Sequence, residues 1–205
     1  VSGGVRRMTL IYPPHPHLLF TPPRLEQFSW VNQGEATATN TRRGLTMTAP
    51  ASNGNSLRLL VTSAPTPPYA VTICMFPFLP GYNYSSAGLV LRESATGKLV
   101  TFNLTGRGTG STEYSRIHVV FWNSPTSLST AIAVTSTPIA TEYWFQIADD
   151  GTNRTMRISS DGQVWVDYYA ESRTAFLTPD QVGIFLNVDR TTYGAITTFA
   201  HWSLG

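Results

Sequence analysis

Two Asp-Gly turns set between alternating apolar runs constrain this chain more than any other feature. Residues 142–148 form an apolar-rich run, and the turn Asp149–Asn153 carries Asp150-Gly151. The run 154–159 follows, then a second turn over 160–163 carrying Asp161-Gly162, then the run 164–170. Asp-Gly between alternating runs is a hairpin signal, because glycine enters positive φ without steric cost and aspartate bonds its own backbone. Two such signals in succession predict a three-stranded antiparallel meander. After a longer loop, two more apolar runs lead to Leu204, so residues 142–204 predict five strands.

The texture upstream is the same. From Phe28 onward short runs alternate with turn residues. Leu45 and Met47 share one face, as do Ile117, Val119 and Phe121. The segment Tyr69–Phe76 is continuously apolar, which predicts a strand buried on both faces or near the sandwich centre, ended by Pro77 and Pro80. Runs 87–93 and 99–104 flank a tight turn and predict a hairpin. The run 114–122 predicts another with 131–134, across Ser124–Ser127. About a dozen strands result, with no amphipathic helix. The predicted fold class is all-β, two antiparallel sheets packed face to face.

Length and composition agree with a single domain of this kind. The chain has 205 residues, 41% hydrophobic and 13% charged, a balance that disfavours disorder. The net charge of +2 is dispersed, with basic pairs only at Arg6-Arg7 and Arg42-Arg43. A nucleic-acid partner therefore has little electrostatic support. No apolar stretch reaches the roughly 18 residues of a membrane span, so no membrane insertion is expected. The single Cys74 lies inside the apolar run and reads as a buried thiol without a disulfide partner.

Residues 1–27 differ. Pro13, Pro14, Pro16, Pro22 and Pro23 prevent a strand ladder and favour an extended arm. The expected organisation is an arm or linker over 1–27 and a sandwich over 28–205. His15 and His17 have a spacing that could hold a metal, but no carboxylate lies in residues 1–25. No metal and no cofactor are therefore expected. The Asp149–Asn153 segment lacks the spacing and the distal Glu of a calcium loop, and hairpin geometry accounts for it.

Catalytic patterns are absent. Glycoside hydrolysis needs two carboxylates at about 5 Å or about 6.5–9.5 Å from each other, and no strand carries such a pair. Asp167 and Glu171 would share a face but stand too far apart. No Gly-x-Ser-x-Gly occurs, and His118 and His201 read as structural. The chain is expected not to be an enzyme. Aromatic residues are the remaining candidates, since sugar rings stack on exposed Tyr and Trp. The candidate carbohydrate-binding residues are Tyr82, Tyr84, Trp122, Trp165 and Tyr193, whereas Trp30, Trp144 and Trp202 are assigned to the core or to sheet closure.

Several segments together resemble a known family. Trp30–Gly34, Ser86–Arg92, Ala95–Phe102, Trp122–Thr126, Ile147–Arg154, Ser160–Gly162, Ser172-Arg173, Phe176–Gly183 and Trp202 are similar to the concanavalin A-like lectin/glucanase jelly roll. The likeness is nearest to modules of tailed-bacteriophage structural proteins and related bacterial proteins, and it spans residues 28–205. The hydrolases of this fold carry a Glu-x-Asp-x-x-Glu run or a close variant, which is missing here. The resemblance implies a curved jelly-roll sandwich with a glycan site on the concave face or rim loops. It also implies a virion decoration or tail-associated role, in several copies, docked to other virion proteins through residues 1–27. Weak binding to a cell-surface glycan would be an added capacity. Free, secreted carbohydrate binding is the alternative, and a hydrolase of the same fold comes after it.

Overall fold

The computed structural model describes residues 20–79, 84–106, 115–136, 140–189 and 192–205. The candidate Tyr82, the His15 and His17 pair, and most of the 1–27 arm lie outside these residues. Among the described residues there are fourteen strands and one 3-10 turn, Leu25–Gln27. The strands are β1 (Ser29–Val31), β2 (Thr37–Thr41), β3 (Gly44–Ala49), β4 (Leu57–Ser63), β5 (Tyr69–Phe78), β6 (Ser86–Arg92) and β7 (Leu99–Thr105). They continue with β8 (Arg116–Ser124), β9 (Ser127–Ser136), β10 (Tyr143–Asp149), β11 (Asn153–Ser159), β12 (Val166–Ser172), β13 (Gln181–Asn187) and β14 (Ala195–Leu204).

They form two seven-stranded antiparallel sheets. The front sheet has the order β1-β4-β13-β6-β7-β8-β9, and the back sheet β12-β11-β10-β5-β14-β3-β2. The predicted meander is β10-β11-β12. Its two turn glycines take φ values of 93° at Gly151 and 72° at Gly162, the left-handed region the turns require. The second turn is longer than the sequence suggests. Asp161 accepts from the backbone N–H of both Gln163 and Val164, which delays β12 to Val166.

The core lies between the sheets. Leu45, Met47, Ile73, Phe102, Phe145, Ile184 and Phe199 are fully buried in it, and Trp202 is 5% exposed. Strand β5 is central in its sheet, as its apolar run predicts. It nevertheless continues through Pro77 to Phe78. Pro77 pairs only with Thr197 of β14, because β10 reaches no further than Met75. A proline is tolerated where one side of the ladder is vacant. Trp144 is buried on the outer face of the back sheet, stacked against Phe20 with ring centroids 5.6 Å apart. The Thr21 N–H bonds His201 Nδ1, and the Thr21 carbonyl accepts from Trp202 N–H. Residues 20–21 thus run along β14.

One expectation is overturned. Asp167 and Glu171 face opposite sides of β12. Asp167 pairs with Arg157 across the ladder and Tyr169 pairs with Met156, which leaves Tyr168 as an extra residue. A bulge of one residue reverses the alternation beyond it. Asp167 therefore stands in solvent against Arg157, whereas Glu171 is buried against Arg154.

The front sheet is strongly curved. Its outward face carries a second apolar cluster that includes Leu57, Leu59, Val90, Leu99, Trp122 and Phe185, all 0–4% exposed. A flat sheet could not bury its own outer face. Here the β8–β9 turn arches over it, and the Pro125 carbonyl accepts the Leu57 N–H at 2.9 Å. Three strands lie between β4 and β8, so this bond closes the curve. Gly183 in β13 permits the close approach that the curve needs. A Cβ there would lie 2.0 Å from the Leu60 carbonyl oxygen.

Candidate functional site

The part of the concave face that the arch leaves open is a cavity of about 260 Å³. Strand pairing sets its floor. Asn187, Ser86 and Thr105 stand in one row across β13, β6 and β7. Asn103 and His118 stand in the next row, on β7 and β8. Each of these five side chains is at least nine-tenths buried, and all but Asn187 line the cavity. Polar groups at such positions are costly unless hydrogen-bonded. Asn103 Nδ2 donates to Thr105 Oγ1 at 2.6 Å. Val120 and Trp122 continue the wall along β8, and Leu128 and Ala131 of β9 close the side.

The rim is built by two loops held to Asn187 and by the segment that follows it. Asn187 Oδ1 accepts the Ser56 N–H at 2.9 Å. Its Nδ2 donates to Asn55 Oδ1 at 3.1 Å and to the Tyr84 carbonyl at 3.3 Å. Asn55, Tyr84 and Asp189 then stand at the mouth. Tyr84 is 54% exposed and has φ of 50°, uncommon for a bulky residue. Such strain persists only where the surroundings impose it, and it gathers at ligand sites.

Of the five predicted aromatics Tyr82 lies outside the described residues, and the other four do not converge. Tyr84 and Trp122 both line the cavity. Trp122 is 4% exposed, however, and its Nε1 donates to Thr101 Oγ1 at 3.0 Å, so it is wall and not platform. Tyr193 is 60% exposed and does not line the cavity. Trp165 is half-buried beside the edge strand β12 of the other sheet. The polar lining residues that aromatic character does not reveal are Asn55, Ser86, Asn103, Thr105, His118 and Asp189. Their signal was polarity inside apolar strands, as at Asn103 in the run 99–104.

A second polar cluster lies inside the sandwich. Tyr69, Asp149, Arg154 and Glu171 form one row across β5, β10, β11 and β12. Arg154 approaches Glu171 to 2.7 Å, and Arg173 Nε donates to Asp149 at 2.9 Å. Burial, and after it the charge of Asp149, pushes the Tyr69 phenol up to about 12. Desolvation raises the Glu171 carboxyl despite the opposing pull of Arg154. The carboxylates here are committed to ion pairs in the interior. Cys74 is likewise buried, and desolvation pushes its thiol up to about 12, which suits an inert residue.

Among the described residues, no three His, Cys, Asp or Glu side chains gather where a metal could sit. Asp149 Oδ1 accepts the Gly151 N–H, and Asp150 Oδ1 accepts those of Thr152 and Asn153, the bonding of a hairpin turn.

No family model matches the chain, and no curated protein matches it in sequence. Solved structures do match in fold. A legume lectin-like domain from Entamoeba histolytica is 6% identical with a TM-score of 0.56, over 88% of this chain and 90% of that one. The carbohydrate-binding module CBM66 from Bacillus subtilis is 14% identical with a TM-score of 0.52, over 85% and 94%. The GH43 protein BlXynB from Bacillus licheniformis is 12% identical with a TM-score of 0.61. There the match covers 82% of this chain and 34% of that one, about a third of the enzyme. Nothing in these comparisons links the chain to phage proteins. The fold of this chain is that of a lectin-like, concanavalin A-like β-sandwich.

Proposed function

We propose that this chain is a non-enzymatic glycan-binding module whose site is the concave cavity of the front sheet. One observation carries the reading. A curved sheet presents buried Ser86, Asn103, Thr105 and His118 at the floor of a cavity with the exposed Tyr84 ring at its mouth. Sugar recognition uses such a division, with hydroxyl-matching polar groups below and an aromatic face beside the ring. Lectin-like and carbohydrate-binding folds among the matched structures support it. Among the described lining residues Asp189 is the single carboxylate. Hydrolysis of a glycosidic bond ordinarily needs two, which favours binding over cleavage.

A glycan array tests the reading, with the intact chain and a Tyr84→Ala variant side by side. The exposed ring contributes binding surface and no core packing. The variant is expected to fold and to bind about tenfold more weakly, equivalent to ~1.4 kcal/mol. Equal binding by both proteins, or no binding by either, contradicts the proposal. A virion role, with docking through residues 1–27 and assembly in several copies, is an extension of this reading that rests on the sequence resemblance. Particle-bound and free protein are separated by fractionation.

A further inference from the structure

We propose that the cavity receives one uncharged residue at the end of a glycan, and that it rejects both acidic termini and the interior of a continuous chain. This inference rests on the glycan-binding reading above. Three observations carry it.

Among the described residues, the arch closes the concave face on one side of the cavity. The β8–β9 turn crosses that face, and its Pro125 carbonyl is bonded to Leu57 N–H. Beneath the arch Leu59, Val90, Leu99 and Phe185 are completely buried. A chain threading the concave face would have to break that bond and displace this packing. The opening that remains lies at the Tyr84 and Asp189 rim.

The volume agrees. At about 260 Å³ the cavity falls below the roughly 300–1,000 Å³ typical of sites for drug-sized ligands. One pyranose ring with its hydroxyls suits that space, and two linked rings overfill it.

The charge selects further. Among the described residues lining the cavity none is Arg or Lys, and Asp189 stands at the mouth. A sugar carboxylate or sulfate entering there would lose hydration without meeting an Arg or Lys among the described lining residues, and would face the Asp189 carboxylate. Neutral hydroxyls meet the Ser86, Asn103 and Thr105 groups of the floor without that cost.

The test uses an array of neutral oligosaccharides, each printed at several chain lengths that share one terminal residue, and each also capped with sialic acid. Methyl hexopyranosides are titrated in solution. Affinity is expected to vary by no more than about threefold with chain length, and to fall at least about tenfold on acidic capping, a difference of ~1.4 kcal/mol. The Asp189→Asn variant is expected to narrow the gap between capped and uncapped chains at least about threefold without closing it, because the like charge is gone while the desolvation cost remains. Affinity that climbs tenfold or more with length, or capped chains bound as well as uncapped ones, overturns this inference and leaves the glycan-binding reading standing. Absence of any signal sensitive to Tyr84→Ala overturns both.

Discussion

Arg154 and Glu171 stand opposite each other on β11 and β12, 2.7 Å from nitrogen to oxygen, with side chains 0% and 4% exposed. Such a pair costs much to desolvate and more to break. Removing one partner strands the other charge in the interior. Arg154→Ala is therefore expected to lower stability by about 3–5 kcal/mol, read from urea unfolding midpoints. The double replacement Arg154→Met with Glu171→Leu is expected to recover most of that loss. A single variant as stable as the parent would show that the pair contributes nothing to the fold.

The Asp161 turn gives a prediction in pH. Its carboxylate accepts from Val164 N–H, Gln163 N–H and the Ser159 hydroxyl. These bonds, that of Val164 first, hold its pKa below the ordinary aspartate range. A depressed native value means stability that is fully present above the unfolded value of about 3.9 and lost as pH falls through the native one. The Asp161 carboxyl carbon should titrate below about 3.9 in NMR. Asp161→Ala should destabilise at pH 7, and the gap from the parent should shrink as pH falls below the unfolded value of about 3.9. A gap that stays constant with pH would refute the assignment.

Curvature of the front sheet depends on Gly183. The Cβ of an alanine there would meet the Leu60 carbonyl oxygen at 2.0 Å, and that atom is backbone. The strands would have to separate. Gly183→Ala is expected to cost about 3 kcal/mol and to weaken glycan binding, since the cavity exists only while the sheet is curved. Unchanged thermal stability would show that the sheet accommodates the methyl group.

Local chemistry was legible in the sequence, and convergence was not. The turns at Asp150-Gly151 and Asp161-Gly162 follow from residues within four positions of each other. The burial of Leu45, Met47 and Cys74 follows from apolar alternation or continuity. Asp167 and Glu171 were misplaced because one extra residue at Tyr168 reverses every side chain beyond it. That bulge depends on the partner strand, and spacing along β12 alone does not reveal it. The cavity was harder still. Ser86, Asn103, His118 and Asp189 come from four separate segments, and only sheet pairing and the Pro125–Leu57 bond bring them together. Among the exposed aromatics, Tyr84 lines the cavity. Aromatic character pointed equally to Trp165, which lies beside an edge strand of the opposite sheet.

In the proposed function, sugar enters the concave cavity of the front sheet. Amide chemical shifts of the labelled intact chain, recorded while a neutral oligosaccharide bound on the array is added, test it most directly. Saturable shifts are expected to cluster at Ser86, Asn103, Thr105 and His118, with the Tyr84 amide moving at the rim. Shifts that cluster instead around Trp165 and Val166, or that leave the floor of the cavity unmoved at saturation, would contradict it.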